Sequence, residues 1–151
     1  MTALADDDLL KEEYFHLHKT VAEFDQKALT IKAWSVTLSM AGVGAAFTQK
    51  APVLLLLAAA SSLLFWITEA IWKSFQQAFY ERICEIESYY DGSVSPVIHL
   101  QINKSWLNAF RRDRVRTLWR IMYWPHVQLP HSVIVVGGPL LWWYYCNWVV
   151  P

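Results

Sequence analysis

The sequence predicts an all-α membrane protein: a transmembrane helical hairpin with long cytoplasmic helical extensions, a third apolar segment at the C-terminus, and further copies of the chain as neighbours. Three observations carry that class. No charge falls between Lys32 and Lys50, and none between Lys50 and Glu69, so two apolar runs stand back to back with Pro52 in the short break. A bilayer core of roughly 30 Å needs about 20 helical residues, which each run supplies with a little tilt or snorkelling. The 151 residues are 55% hydrophobic with 9 Trp, 7 Tyr and 7 Phe, far more indole than a soluble domain of this size usually buries. Finally, the 13 Lys and Arg, balanced by 13 acids, are unevenly placed: the hairpin tip holds Lys50 alone, while both ends of the hairpin adjoin Lys/Arg-rich sequence. The positive-inside rule puts those ends, and the N-terminus, in the cytoplasm.

Residues 1–27 read as an amphipathic cytoplasmic helix. From Asp8 the acids sit where a helix dipole favours them, and no basic leader precedes an apolar core, so the start does not read as a signal peptide. Leu10, Tyr14, Leu17, Val21, Phe24, Ala28 and Ile31 follow at alternating spacings of four and three, a heptad seam. The seam fits equally a partner subunit or the chain's own second helix. It runs without Gly or Pro into the first span, so one helix from about 8 to 48 is expected.

The hairpin occupies residues 28–72, with spans at about 30–49 and 52–72. The first span is rich in small residues, among them Ser35, Ser39, Gly42, Gly44 and Ala46, and the second answers with Ala58 to Ser62. In lipid, where apolar burial gives no net drive between helices, small side chains allow close backbone approach; these faces serve the hairpin and a neighbouring copy. Pro52 suits the opening turn of the second helix, which shows no stop until Asp91-Gly92-Ser93, so a helix of about 52–90 is expected.

Residues 73–131 form the second cytoplasmic region. Residues 94–103 read as a short strand or an extended connector around Pro96. Residues 104–124 read as one basic, Trp-rich amphipathic helix, with Lys104, Arg111, Arg112, Arg114, Arg116 and Arg120 against a single Asp. Such a helix lies in the interface against anionic lipid, a simpler partner beside a membrane hairpin than nucleic acid. Pro125 and Pro130 make PHVQLPH read as a loop. Residues 132–151 carry no charge and are long enough to span; the Gly137-Gly138-Pro139 break leaves a re-entrant or surface-lying segment as the alternative.

Lys32 and Glu69 are the candidate functional pair. A charge inside an apolar run is expensive unless paired or facing water, so the two either contact each other or Glu69 lines a water-filled passage with its copies. The alternative pairs Glu69 with Lys73, one turn on. The five histidines lack zinc-like spacing, no Gly-rich phosphate loop or nucleophile elbow occurs, and acids flanking Cys84 disfavour its thiolate. No catalytic, metal or cofactor residues are therefore assigned.

The runs EYFHLHKTVAEFDQKALTIKAWSVTLSMAGVGAAF and LLFWITEAIWKSFQQAFYERICEIE, covering about residues 12–87, resemble the RipA-type family of small bacterial inner-membrane proteins, described as octameric. The resemblance implies a homo-oligomeric ring in the inner membrane of a bacterium. In layout the chain is also similar to two-span membrane effectors of bacterial conflict systems. The expected function is a non-enzymatic ring-like channel, pore or membrane scaffold. The alternative is a membrane-anchored adaptor that recruits a cytosolic partner through its basic helix.

Overall fold

Two long helices dominate the computed structural model, which describes residues 2–93, 97–112 and 114–149, with side chains over 7–148. Helix α1 runs Thr2–Thr48 and α2 runs Val53–Tyr90; α3 (Ile102–Arg111), α4 (Arg114–Met122) and α5 (Pro125–Tyr144) follow, and a π-helical turn, Tyr145–Val149, ends the described chain. Every element among the described residues is helical. Helix α1 begins before the expected Asp8, so the acids lie beyond its first turn.

The caps follow local chemistry. Past α1, Lys50 takes a left-handed conformation (φ 51°) and the Ala51 N–H donates to the Ala46 carbonyl at 3.0 Å, a six-to-one bond that closes the helix end. Past α2, Gly92 (φ 80°) donates to the Tyr89 carbonyl and Ser93 to the Ser88 carbonyl, the full Schellman pattern. Glycine is the residue that meets this φ without a Cβ penalty.

The contacts divide the chain into two compact units: Met1–Lys27 with Trp72–Thr117, and Ala28–Ile71 with Leu118–Pro151. In the first unit the heptad seam packs within the chain. Leu10, Leu17 and Val21 of α1 bury against Ile83 and Ile86 of α2, with Tyr14, Phe79, Tyr89, Val97 and Ile102 around them. Trp106 and Phe110 of α3 stack at 4.9 Å, and the Trp106 Nε1–H donates to the Phe75 carbonyl at 3.0 Å. Lys73 bonds to Asp25 and to Gln76 Oε1, and Gln76 Nε2 donates to the Val21 carbonyl.

A buried ion pair sits in this unit. Arg82 Nε donates to Glu13 Oε1 at 2.7 Å, Nη1 to Glu85 Oε2 at 2.9 Å and Nη2 to the Ile98 carbonyl at 2.8 Å. Glu13 Oε2 accepts the Leu100 N–H at 2.7 Å. Burial works against the Arg82 charge, but the Glu13 and Glu85 carboxylates outweigh it and hold the guanidinium above its ordinary value. The connector that was open between strand and extended chain is irregular over 97–101, with Leu100 in the left-handed region (φ 60°); 94–96 lie outside the described residues.

In the second unit α1, α2 and α5 pack through small residues. A Cβ built on Gly42 would stand 3.1 Å from the Ala58 Cβ, and one on Gly138 would stand 2.8 Å from the Leu55 carbonyl oxygen and 2.9 Å from the Ala59 Cβ. Ser35, Ser39 and Ala46 are buried on the same side of α1, spaced by a helical repeat. Gly44, grouped with them on composition, points away: its Cβ would meet nothing within 4 Å, because two residues from Gly42 is the far side of a helix. Gly138→Ala is expected to cost about 1–3 kcal/mol, since a backbone carbonyl cannot swing aside. Gly137→Ala, in open space, should change stability by less than about 0.5 kcal/mol. Chemical unfolding of the two variants side by side checks this.

Two sequence expectations change. The basic helix expected over 104–124 is two helices, α3 and α4, because Arg112 turns extended (ψ 115°) as the C-cap of α3. PHVQLPH is helix rather than loop: Pro125 occupies the first turn of α5, where a missing N–H is harmless, and Pro130 and Pro139 lie inside the helix. Of the three apolar segments, the one in α2 is long and apolar enough to cross a membrane by length and composition among the described residues. Ser, Thr, Gly and Lys32 dilute the first segment, and His126, Gln128, His131 and the prolines dilute α5.

Candidate functional site: a buried Glu–His–Lys cluster

Inside the second unit, three helices converge on one carboxylate. Glu69 of α2 is fully buried (0% exposed), as is His131 of α5. Glu69 Oε2 lies 3.0 Å from His131 Nε2, and Glu69 Oε1 lies 3.0 Å from Lys32 Nζ of α1 as an ion pair set off hydrogen-bond alignment. His131 Nδ1 is 3.0 Å from the Ser35 hydroxyl, and the Ser62 hydroxyl donates to the His131 carbonyl at 3.3 Å. The Lys32 side chain is 22% exposed, so the cluster touches the surface at that end. Ser39, one turn beyond Ser35, is buried with no hydrogen-bond partner for its hydroxyl.

The helices bring these groups together for reasons visible in their spacing. Lys32, Ser35 and Ser39 follow at three and four residues along one face of α1; Ser62 and Glu69 are seven apart, two turns along one face of α2. Below them Ala70, Ile121 and Val127 form an apolar floor with Trp66, Leu118, Met122 and Trp124, and the Trp66 Nε1–H donates to the Met122 carbonyl at 3.1 Å.

A carboxylate only accepts hydrogen bonds, so the imidazole facing it presents Nε2–H, and Nδ1 accepts the Ser35 hydroxyl proton. Ser35, His131 and Glu69 thereby stand in the order of a nucleophile, a base and an orienting acid. Access is missing: Ser35 is 2% exposed. It also sits mid-helix, where the neighbouring N–H groups are committed to carbonyls four residues back, leaving no donor pair for an oxyanion. What the arrangement does chemically is hold one carboxylate between an enclosed imidazole and an ammonium that reaches the surface.

The sequence-singled pair, Lys32 and Glu69, is thus in contact within one chain. Within the chain the carboxylate is enclosed by its own helices, and Lys73, the alternative partner, goes to Asp25. Of the packing set, Ser35, Ser39, Gly42 and Ala46 turn inward and Gly44 outward. Lys104, Arg111, Arg116 and Arg120 are exposed, Arg112 pairs with Glu81 at 3.4 Å, and Arg114 lies 5.0 Å over the Phe110 ring. Sequence reasoning missed His131, reading it as part of a proline loop. The available signal was the one that singled out Glu69: a titratable side chain beside an uncharged run requires a partner. Among the described residues no group of three His, Cys, Asp or Glu gathers to hold a metal ion.

The fold and site define an all-helical protein whose second unit buries an ionised cluster beneath an apolar exterior. No family model, curated protein or solved structure matches the chain, so the functional reading rests on this geometry.

Proposed function

We propose that the chain is a non-enzymatic, multi-pass protein of the bacterial inner membrane that assembles with copies of itself into a ring-like scaffold, with any channel lying between copies. The observation that carries this reading is the polarity of the second unit, which is inverted relative to a soluble domain. Its outer faces present Trp34, Met40, Leu57, Leu64, Val133, Leu140 and Trp143 to the surroundings, while Ser35, Ser39, Ser62, Glu69 and His131 lie inside. A soluble unit shows the reverse, and apolar surface this continuous marks contact with lipid or protein. Only 33% of the most apolar window of α2 is buried within the chain, whereas the core helix of a soluble protein is mostly buried. In lipid the segments 30–49, 52–72 and α5 form the spans, and an interior Lys–Glu–His set is the expected place for charge.

Self-assembly is supported by the outward Gly44 and the neighbouring small residues, which remain for a second helix once Gly42 and Ala46 are used inside. In the second unit the exposed Arg120, with Trp119 and Tyr123, supplies a headgroup contact for anionic lipid, and in the first the exposed Arg111, Arg114 and Arg116 offer cations to the same headgroups. The test is extraction followed by native mass spectrometry. The protein is expected to stay with the membrane through an alkaline wash, to need detergent, and to fly as one assembly of a single size. A soluble chain, or a detergent-extracted monomer, overturns the membrane or the assembly half respectively.

A further inference from the structure

We propose that the cluster around Glu69 is a buried proton-binding site, in which His131 takes up the proton and Glu69 serves as its counter-charge, and that loading releases Lys32. This rests on reading the second unit as membrane-embedded, and it assigns that unit a ligand.

The site is hydrogen-bonded in both states. Unloaded, Nε2–H faces Glu69 Oε2 and Nδ1 accepts from the Ser35 hydroxyl, each at 3.0 Å. Loaded, the added proton sits on Nδ1, both ring nitrogens donate, and the Ser35 oxygen changes from donor to acceptor. A hydroxyl does either without moving its oxygen. The proton Ser35 turns away goes to the carbonyl one turn back on α1, the bond that the Thr48 and Thr68 hydroxyls make on their own helices.

Charge balance identifies the second partner. The groups facing the imidazole are Glu69 from α2 and, across its carboxylate, Lys32 from α1; Ser35 contributes a hydroxyl, Ser62 bonds the His131 backbone carbonyl, and Arg120 of α4 and His126 of α5 are exposed. With Lys32 in place the unloaded set sums to zero. A proton on His131 would make it plus one in a low-dielectric interior, an arrangement of high cost. Lys32 relieves this, because its side chain already reaches the surface and can snorkel out. Glu69 then pairs with the imidazolium alone and the interior stays neutral. One proton in moves one ammonium out.

The full chain in lipid nanodiscs, with its histidine side chains labelled with nitrogen-15, is titrated by NMR across about pH 5 to 8, where an imidazole changes charge. His131→Gln assigns the signal; should it fail to fold, replacing the other four histidines with Asn leaves the single imidazole. The expected result is reversible conversion of His131 from one tautomer to the imidazolium in the folded protein. Removing the competing cation with Lys32→Met should raise the proton affinity at least tenfold, about one pH unit. Lys32 should also label faster with a water-soluble amine reagent on the loaded side of the titration, as read by mass spectrometry. An imidazole that stays neutral throughout, or an affinity unmoved by Lys32→Met, overturns the proposal. If the chain instead proves soluble, the membrane reading falls, and the same titration without lipid still decides the proton site.

Discussion

Glu69→Leu is expected to destabilise the second unit by about 1–3 kcal/mol, because it leaves the buried His131 Nε2–H facing a side chain that accepts nothing, while Lys32 keeps its route to the surface. The reasoning lies in the asymmetry of buried ion pairs. Forming one gains little net, since desolvation offsets the attraction, but removing the carboxylate leaves the imidazole N–H, which is fully buried, where water cannot replace it. Glu69→Gln should lose less, as its amide oxygen still accepts from the imidazole. The double variant Lys32→Met with Glu69→Leu should recover part of the loss, the mark of two groups that act on each other. Chemical unfolding of the three variants in one detergent measures all of this. A Glu69→Leu variant within about 0.5 kcal/mol of the parent would mean that the carboxylate is not enclosed as described.

Arg82→Met is expected to cost more, about 3–5 kcal/mol, in the first unit, because both members of its ion pair with Glu13 are enclosed. Arg82 donates at once to Glu13, Glu85 and the Ile98 carbonyl, and its loss leaves Glu13 buried with the Leu100 N–H. The consequence is local as well as global. Leu100 holds a left-handed backbone that a branched side chain adopts at a cost, and the Glu13 contact helps to hold it there. Hydrogen exchange at the Leu100 amide should therefore accelerate more than exchange along Leu10 to Val21. Arg82→Lys should recover little, because an ammonium is a point charge and cannot span three acceptors in a planar fork. Equal acceleration at every amide of the unit would show global loosening and remove the clamp.

Much of the helical frame was legible. The run from Leu10 to Ile31, the hairpin break at Lys50 and Pro52, and the stop at Asp91-Gly92-Ser93 all act through neighbours a few residues apart, and the helix ends fall within a few residues of where those signals stand. The break at Arg112 and the return to helix at Pro125 were not legible. A basic run with good helical periodicity says nothing about whether one residue turns extended, and a proline reads the same at a loop as in the first turn of a helix. Glu69 announced itself as a charge in an apolar run. Its partner His131 did not, because the two are 62 residues apart and no local pattern joins them.

The residues alone thus determined where the two long helices run and which two charges sit in their apolar stretches, since periodicity, charge spacing and turn chemistry are properties of adjacent side chains. Tertiary structure decided the rest: that the heptad seam closes on its own chain, that Gly44 faces out while Gly42 faces in, and that Lys32, Ser35, Glu69 and His131 share one enclosed site. The physical reason is that a buried polar group is specified by whatever distant group satisfies it. Such partners come together only when α1, α2 and α5 pack closely enough for small residues to let their backbones meet.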